Sequence, residues 1–149
     1  MPLTVEDAHR LVARHLEESV AAEAWVQTVE YDPEIPRWYV RFTCDGRDAT
    51  TIYFDLHQRS LHYEVYFLPA PPEGLAELSA FLLRANHSLY GAKFSVGPDD
   101  DLYLVGRIAL EHLTEGELDR IIGVVYEAVE RWFPPAVRMA FGRRPQAPA

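Results

Sequence analysis

Cysteine is nearly absent from this chain, and the scarcity narrows its chemistry. The one cysteine, Cys44, cannot form an internal disulfide, and no Cys-x-x-Cys pair exists to act as a redox couple. Lysine is as scarce: Lys93 stands alone, so nearly all positive charge is carried by arginine. Positive charge is itself in the minority, with 14 Lys and Arg against 23 Asp and Glu for a formal net charge of −9 spread along the sequence. A nucleic-acid partner needs clustered cations to displace its counterions, so no nucleic-acid partner is expected. No apolar run approaches the length of a membrane span, and the opening MPLTVEDAHRL has neither the basic leader nor the hydrophobic stretch of a signal peptide. The expectation is a soluble cytosolic protein with no membrane partner. Motifs that carry chemistry are missing too. There is no Gly-x-x-x-x-Gly-Lys or Gly-x-Gly-x-x-Gly loop to cradle a phosphate, no His-Glu-x-x-His, and no Gly-x-Ser-x-Gly around Ser60, Ser79 or Ser88.

What is present suffices for one core. A chain of 149 residues that is 48% hydrophobic and 12% aromatic can bury an interior without disulfide or metal support. Residues 1–135 are expected to form a single domain, and 136–149, closing on GRRPQAPA, a partly disordered tail. In TVEDAHRLVARHLEESVA, residues Ala8, Leu11, Val12, His15, Leu16, Ser19 and Val20 fall on one helical stripe, with Thr4 and Asp7 as an N-cap pair. His15, on that stripe, reads as a core or boundary histidine. From Ala24 the period drops to two. AWVQTVEYD, RWYVRFTCD, ATTIYFDL and SLHYEVYFL read as four strands of a meander, ended by the prolines of LPAPPE. A second helix follows, with Leu75, Leu78, Phe81, Leu82, Ala85 and Leu89 on one face and Gly91 as a left-handed terminator. AKFSV and LYLVGRIAL form a hairpin, and a last helix starts at the Thr114/Glu117 capping box and stops at Pro134 and Pro135. The order is α-β-β-β-β-α-β-β-α.

Two hairpins hold the candidate chemistry. Pairing Val96 with Leu102 across GPDDD puts Phe94 opposite Leu104 on the core side and leaves Lys93, Ser95, Tyr103 and Val105 on the other. The three aspartates are then turn formers at the loop tip, lacking the alternation of a calcium loop. Asn86 and His87, in the last helical turn, are placed to bind terminal carbonyls or tie down the next segment. In IYFDLHQRSLHYEVYF, pairing Leu56 with Leu61 gives an apolar face of Ile52, Phe54, Tyr63, Val65 and Phe67 and an opposite face bearing Asp55, His57, His62, Glu64, Tyr53 and Tyr66. Two imidazoles and two carboxylates are ligand types that zinc or non-haem iron accepts, so Asp55, His57, His62 and Glu64 are the candidate metal set. A polar strand face meeting water accounts for the same residues without a metal. Cys44, a lone small sulfur side chain, reads as a packed hydrophobe.

The stretches IYFDLHQRSLHYEVYFLPAPPE and AFLLRANHSLYGAKFSVGPDDDLYLVGRIALEHLTEGELDRIIG resemble actinobacterial members of the YbjN family, described as sensory transduction regulators. The motifs that carry the likeness are Phe-Asp before a short turn with Leu-His-Tyr-Glu after it, Leu-Leu-Arg-x-Asn followed by Tyr-Gly-Ala-Lys-Phe, the acidic hairpin running into DLYLVGR, and ELDRIIG. They cover most of the chain from about Tyr53 to Gly123. The family's fold is similar to that of type III secretion chaperones. The resemblance implies an α+β domain with three helices packed on an antiparallel sheet, and binding rather than catalysis. It brings no catalytic residue and no cofactor. Secretion chaperones usually show three strands before their second helix, where four are read here.

The expected function is therefore non-enzymatic protein binding by an adaptor, regulator or chaperone-like domain. Its partner is a protein, with a second copy of the chain among the candidates. Tyr53, Tyr66 and Tyr103 are the predicted contact residues, because tyrosine covers apolar area while keeping a wet hydroxyl. The alternatives are that the first helix covers that face as a third layer, that the metal set above is real, or that a small ligand occupies a pocket between helices and sheet.

Overall fold

Alternation, broken by a register shift in three of the strand pairs, turns the aromatic-rich segments into strands with one dry side. In β1 (Val26–Asp32) and β2 (Arg37–Cys44) the inward positions include Val26, Trp38, Val40 and Phe42; in β3 (Arg47–Leu56) they are Thr50, Ile52 and Phe54. In β4 (Ser60–Leu68) Leu61, Tyr63, Val65 and Phe67 are buried, and the hairpin of β5 (Lys93–Val96) and β6 (Leu102–Ala109) buries Phe94, Leu102 and Leu104. The computed structural model describes residues 3–142. Its strands form one antiparallel sheet in the order β1-β2-β3-β4-β6-β5. Both hairpin registers match the alternation: Leu56 pairs with Leu61 and Phe54 with Tyr63, and Val96 pairs with Leu102 and Phe94 with Leu104.

The helices α1 (Val5–Arg14), α2 (Leu75–Asn86) and α3 (Glu115–Phe141) complete an α+β fold in the expected order, with four strands ahead of α2. Thr4 and Thr114 cap α1 and α3 by accepting from the backbone N–H of Asp7 and Glu117, each at 3.0 Å. Beyond Arg14 the first helix widens over His15–Val20, where Ala21 N–H reaches back five residues to Leu16. The extra residue in the turn lets His15 and Leu16, neighbours in sequence, both face inward. His15 Nε2 meets Asp119 Oδ1 of α3 at 2.6 Å, and Arg14 meets Glu115 at 3.3 Å, so the first helix is pinned to the last. Along α3, Leu118, Ile121, Ile122, Val125, Ala128 and Val129 are buried against the same sheet face.

Two expectations about helix ends are corrected. Pro134 and Pro135 do not stop α3, which runs on to Phe141. The rings remove the N–H groups that would bond Glu130 and Arg131 carbonyls, a cost of about 3 kcal/mol or more for an interior proline. Packing offsets it: Ala136 and Ala140 are buried, and Val137, Met139 and Phe141 pack on the core. The β2–β3 turn also seats against this point, with Arg47 stacked 4.6 Å from the Phe133 ring centroid. Residues 136–141 are thus helix rather than tail, and 143–149 lie outside the described residues. Nor does Gly91 terminate α2. The helix ends at Asn86 and tightens through bonds from His87, Ser88 and Leu89 to Arg84, Ala85 and Asn86; Gly91, at φ 73°, turns the chain into β5 and offers its carbonyl to the Tyr63 hydroxyl.

The stretch around Asn86 is architecture. Its amide accepts from Phe94 N–H at 2.7 Å and donates to Phe94 carbonyl at 3.1 Å, standing in for a neighbouring strand on the outer edge of β5. At the hairpin tip Asp100 takes a left-handed φ of 67°, and Asp101 Oδ1 accepts from Ala70 N–H at 2.8 Å. His87 stands exposed.

Candidate functional site

With every helix of the described residues on one side, the outward positions of the six strands form an open face. The first helix does not cover it. Its Ala8, Val12 and Leu16 are buried on the inner side, where His9 also meets Trp38 and Tyr31. The registers arrange the open face in three cross-strand rows. One runs Glu30, Tyr39, Tyr53, Glu64, Val105, Lys93; on one side of it lie Asp32, Arg37, Asp55, His62, Arg107, and on the other Arg41, Thr51, Tyr66, Tyr103, Ser95. Tyr53, Tyr66 and Tyr103 are on this face together. Tyr39, two residues from Arg37 and Arg41, completes two edge-to-face pairs: Tyr39 with Tyr53 at 5.3 Å and Tyr66 with Tyr103 at 5.5 Å between centroids. Tyr66 is 39% exposed, and the Arg37 guanidinium lies 5.0 Å from the Tyr53 ring centroid.

The charged row is internally committed at its centre. Arg37 Nε and Nη2 donate to the two oxygens of Asp55 at 2.8 and 3.1 Å, a bidentate pair that holds the guanidinium charged. His62 lies across from Asp55, as the alternation requires, yet its Nε2 meets Ser60 Oγ at 2.9 Å and its ring sits 4.0 Å from that of His57. Partial burial, with His57 and Arg107 beside it, holds the His62 imidazole below the usual histidine range. The four candidate ligands therefore do not converge. Asp55 is taken by Arg37, and Glu64 lies a row away from His62. Among the described residues no three His, Cys, Asp or Glu side chains are grouped so as to hold a metal ion. A cleft of about 550 Å³ opens where β5 begins, lined by Arg37, Asp55, His62, Glu64, Lys93 and Arg107. The middle of the space between helices and sheet is occupied by Phe42, Phe54, Phe67, Leu118 and Val129, each fully buried, and a small apolar pocket of about 130 Å³ lies between α2 and β5, lined by Leu82, Leu83, Phe94 and Val96. Cys44 is half-buried, and burial pushes its thiol up, away from a reactive thiolate.

A family profile described as "YbjN: Putative bacterial sensory transduction regulator" matches residues 13–137, which take in the whole sheet, α2 and nearly all of α3. The chain belongs to the YbjN family. Its relatives include an uncharacterised protein of Mycobacterium leprae, 30% identical over 105 residues, which are 70% of this chain and 57% of that one. Uncharacterised proteins of Mycobacterium tuberculosis and Mycobacterium bovis are each 33% identical over 84 residues, 56% of this chain and 46% of theirs. The chain spans about half the length of the curated relatives it matches. No helix among the described residues is long and apolar enough to cross a membrane.

Arg37, Arg41 and Arg107 are the open-face residues that sequence reading passed over as a site. The signal was there: in RWYVRF the dry Trp38, Val40 and Phe42 oblige the residues between them to point out.

Proposed function

We propose that this YbjN-family chain is a non-enzymatic protein-binding domain of the bacterial cytosol, a regulator or adaptor, that docks its partner on the open face of the sheet. One observation carries the reading: all the helices of the described residues pack on one side, leaving a wall built from tyrosine and arginine over which no described residue forms a layer. Those two residue types are enriched where proteins meet, because each offers a large, stiff contact surface with a polar end. The edge-to-face tyrosine pairs and the Arg37–Asp55 fork fix side chains before any partner arrives, which lowers the entropy lost on docking. Strand addition at β5 is disfavoured by Asn86, which already fills the outer bonds of Phe94. The likeness to secretion chaperones rests on sequence resemblance alone and carries no part of this reading.

The test replaces Tyr53 and Tyr66 by serine together. Proteins retained from the native host by the wild-type domain are expected to bind the double variant at least about tenfold more weakly, with thermal stability nearly unchanged. A large fall in melting temperature would show that these rings support the core, and unaltered capture would remove the open face from consideration.

A further inference from the structure

We propose that the open face pairs with the same face of a second copy of this chain, in a two-fold arrangement that lays β1 of one copy over β5 and β6 of the other. The inference rests on the reading of that face as a protein-docking surface and names its occupant.

Charge placement argues for it. On the open face the charged residues of β1 are all acidic, Glu30 and Asp32, whereas those of β5 and β6, at the opposite edge, are all basic, Lys93 and Arg107. Glu30, Arg41, Lys93 and Arg107 form no ion pair with another described residue. A two-fold axis lying between the stacked sheets, parallel to the strands and midway between β3 and β4, exchanges the edges while keeping each row at its level. Glu30 of one copy then comes over Lys93 of the other, and the reverse. In the row that holds Tyr66 and Tyr103, Arg41 on β2 comes over Tyr103 on β6, beside the aspartates of the hairpin tip; Asp99 and Asp101 already bear on the Tyr103 hydroxyl. In the third row Arg37 would come over Arg107, but its charge is neutralised by the fork to Asp55. Stacked sheets sit at about 30° to each other, so the match operates between edges and rows rather than between single atoms.

The area is adequate. Six strands spaced by about 4.8 Å, with about seven residues each at about 3.3 Å, offer roughly 600 Å² per copy, so the pair reaches about the lower bound for a specific interface. A chain of net charge −9 repels its own copies at long range, so pairing has to come from such local matching.

Sedimentation equilibrium of the full chain, from low to high micromolar, tests the proposal. The wild type is expected to dimerise, and Glu30→Lys or Lys93→Glu to raise the dissociation constant at least about tenfold each, because like charges then face one another. An equimolar mixture of the two variants is expected to pair again, since each now carries the charge that the other lacks. Circular dichroism melts check that both variants stay folded. A wild type that is monomeric throughout, a dimer indifferent to both reversals, or a mixture that does not recover would each overturn the pairing. If the wild type is monomeric while capture of host proteins still depends on Tyr53 and Tyr66, the pairing falls and the docking face stands; if neither reversal nor tyrosine removal changes any association, both fall.

Discussion

Tyr63 shows how much one side chain can hold. Its ring packs on Phe54 in the core, and its hydroxyl donates to the Gly91 carbonyl where the chain turns into β5. Burial, with Glu117 and Tyr90 nearby, pushes that hydroxyl from 10.0 up to about 12. The neutral form is thus favoured by the fold. Its contribution to stability is complete below about pH 10 and is lost as pH rises through about 12. Tyr63→Phe is expected to cost about 1–2 kcal/mol at neutral pH, because the Gly91 carbonyl loses its donor. It should also flatten the alkaline decline between those pH values, read by denaturant melts at each pH. A second residue-scale prediction concerns Gly46. A Cβ there would lie 2.6 Å from Cγ of Pro134, so Gly46→Ala should destabilise the domain by about 1–3 kcal/mol. Sequence alone reached the Asp55–His62 adjacency, because the β3–β4 turn is short enough to fix that register. It could not reach the claim of Arg37 on Asp55, which depends on how β2 pairs with β3 and leaves no local pattern.

The elements were legible where their signals are local. Alternation gave the strands, and the threonine caps gave the starts of α1 and α3. The end of α3 was not legible. Paired prolines argue for a stop when a helix is considered by itself, and only the buried Ala136 and Ala140 and the β2–β3 turn against Pro134 reverse that judgement. β5 teaches a related lesson, since four residues at a sheet edge hold their place through a side chain from another element. Asn86→Ala should leave Phe94 N–H and carbonyl unpaired toward the edge, at about 1–2 kcal/mol. Hydrogen exchange at Phe94 is expected to speed up well beyond that of Leu104, its partner on β6. Asn86→Asp, which keeps the acceptor and loses the donor, should fall between.

At the scale of the molecule, the decisive fact is which side of the sheet each helix chooses. An apolar stripe tells that a helix must cover something, but it is silent on which face, and three stripes could have been shared between two faces. The open face exists because none of them went to the other side. It follows that surface substitutions should divide by side. Removing tyrosines of the open face should alter association with little effect on melting, whereas on the helix side His15→Ala is expected to lower the melting temperature, since it empties a buried position and removes the bond from the first helix to Asp119 of α3. Thermal melts of the two sets, run beside association measurements, would show whether stability and binding separate in this way.

Lys93 supplies a practical handle on all of this. As the chain's sole side-chain amine, lying exposed beside the tyrosine wall, it will take an amine-directed fluorophore at one spot among the described residues. A dye placed there consumes the charge that meets Glu30 in the proposed pairing, so labelling should itself weaken self-association, while quenching or anisotropy reports any other partner that settles over the wall.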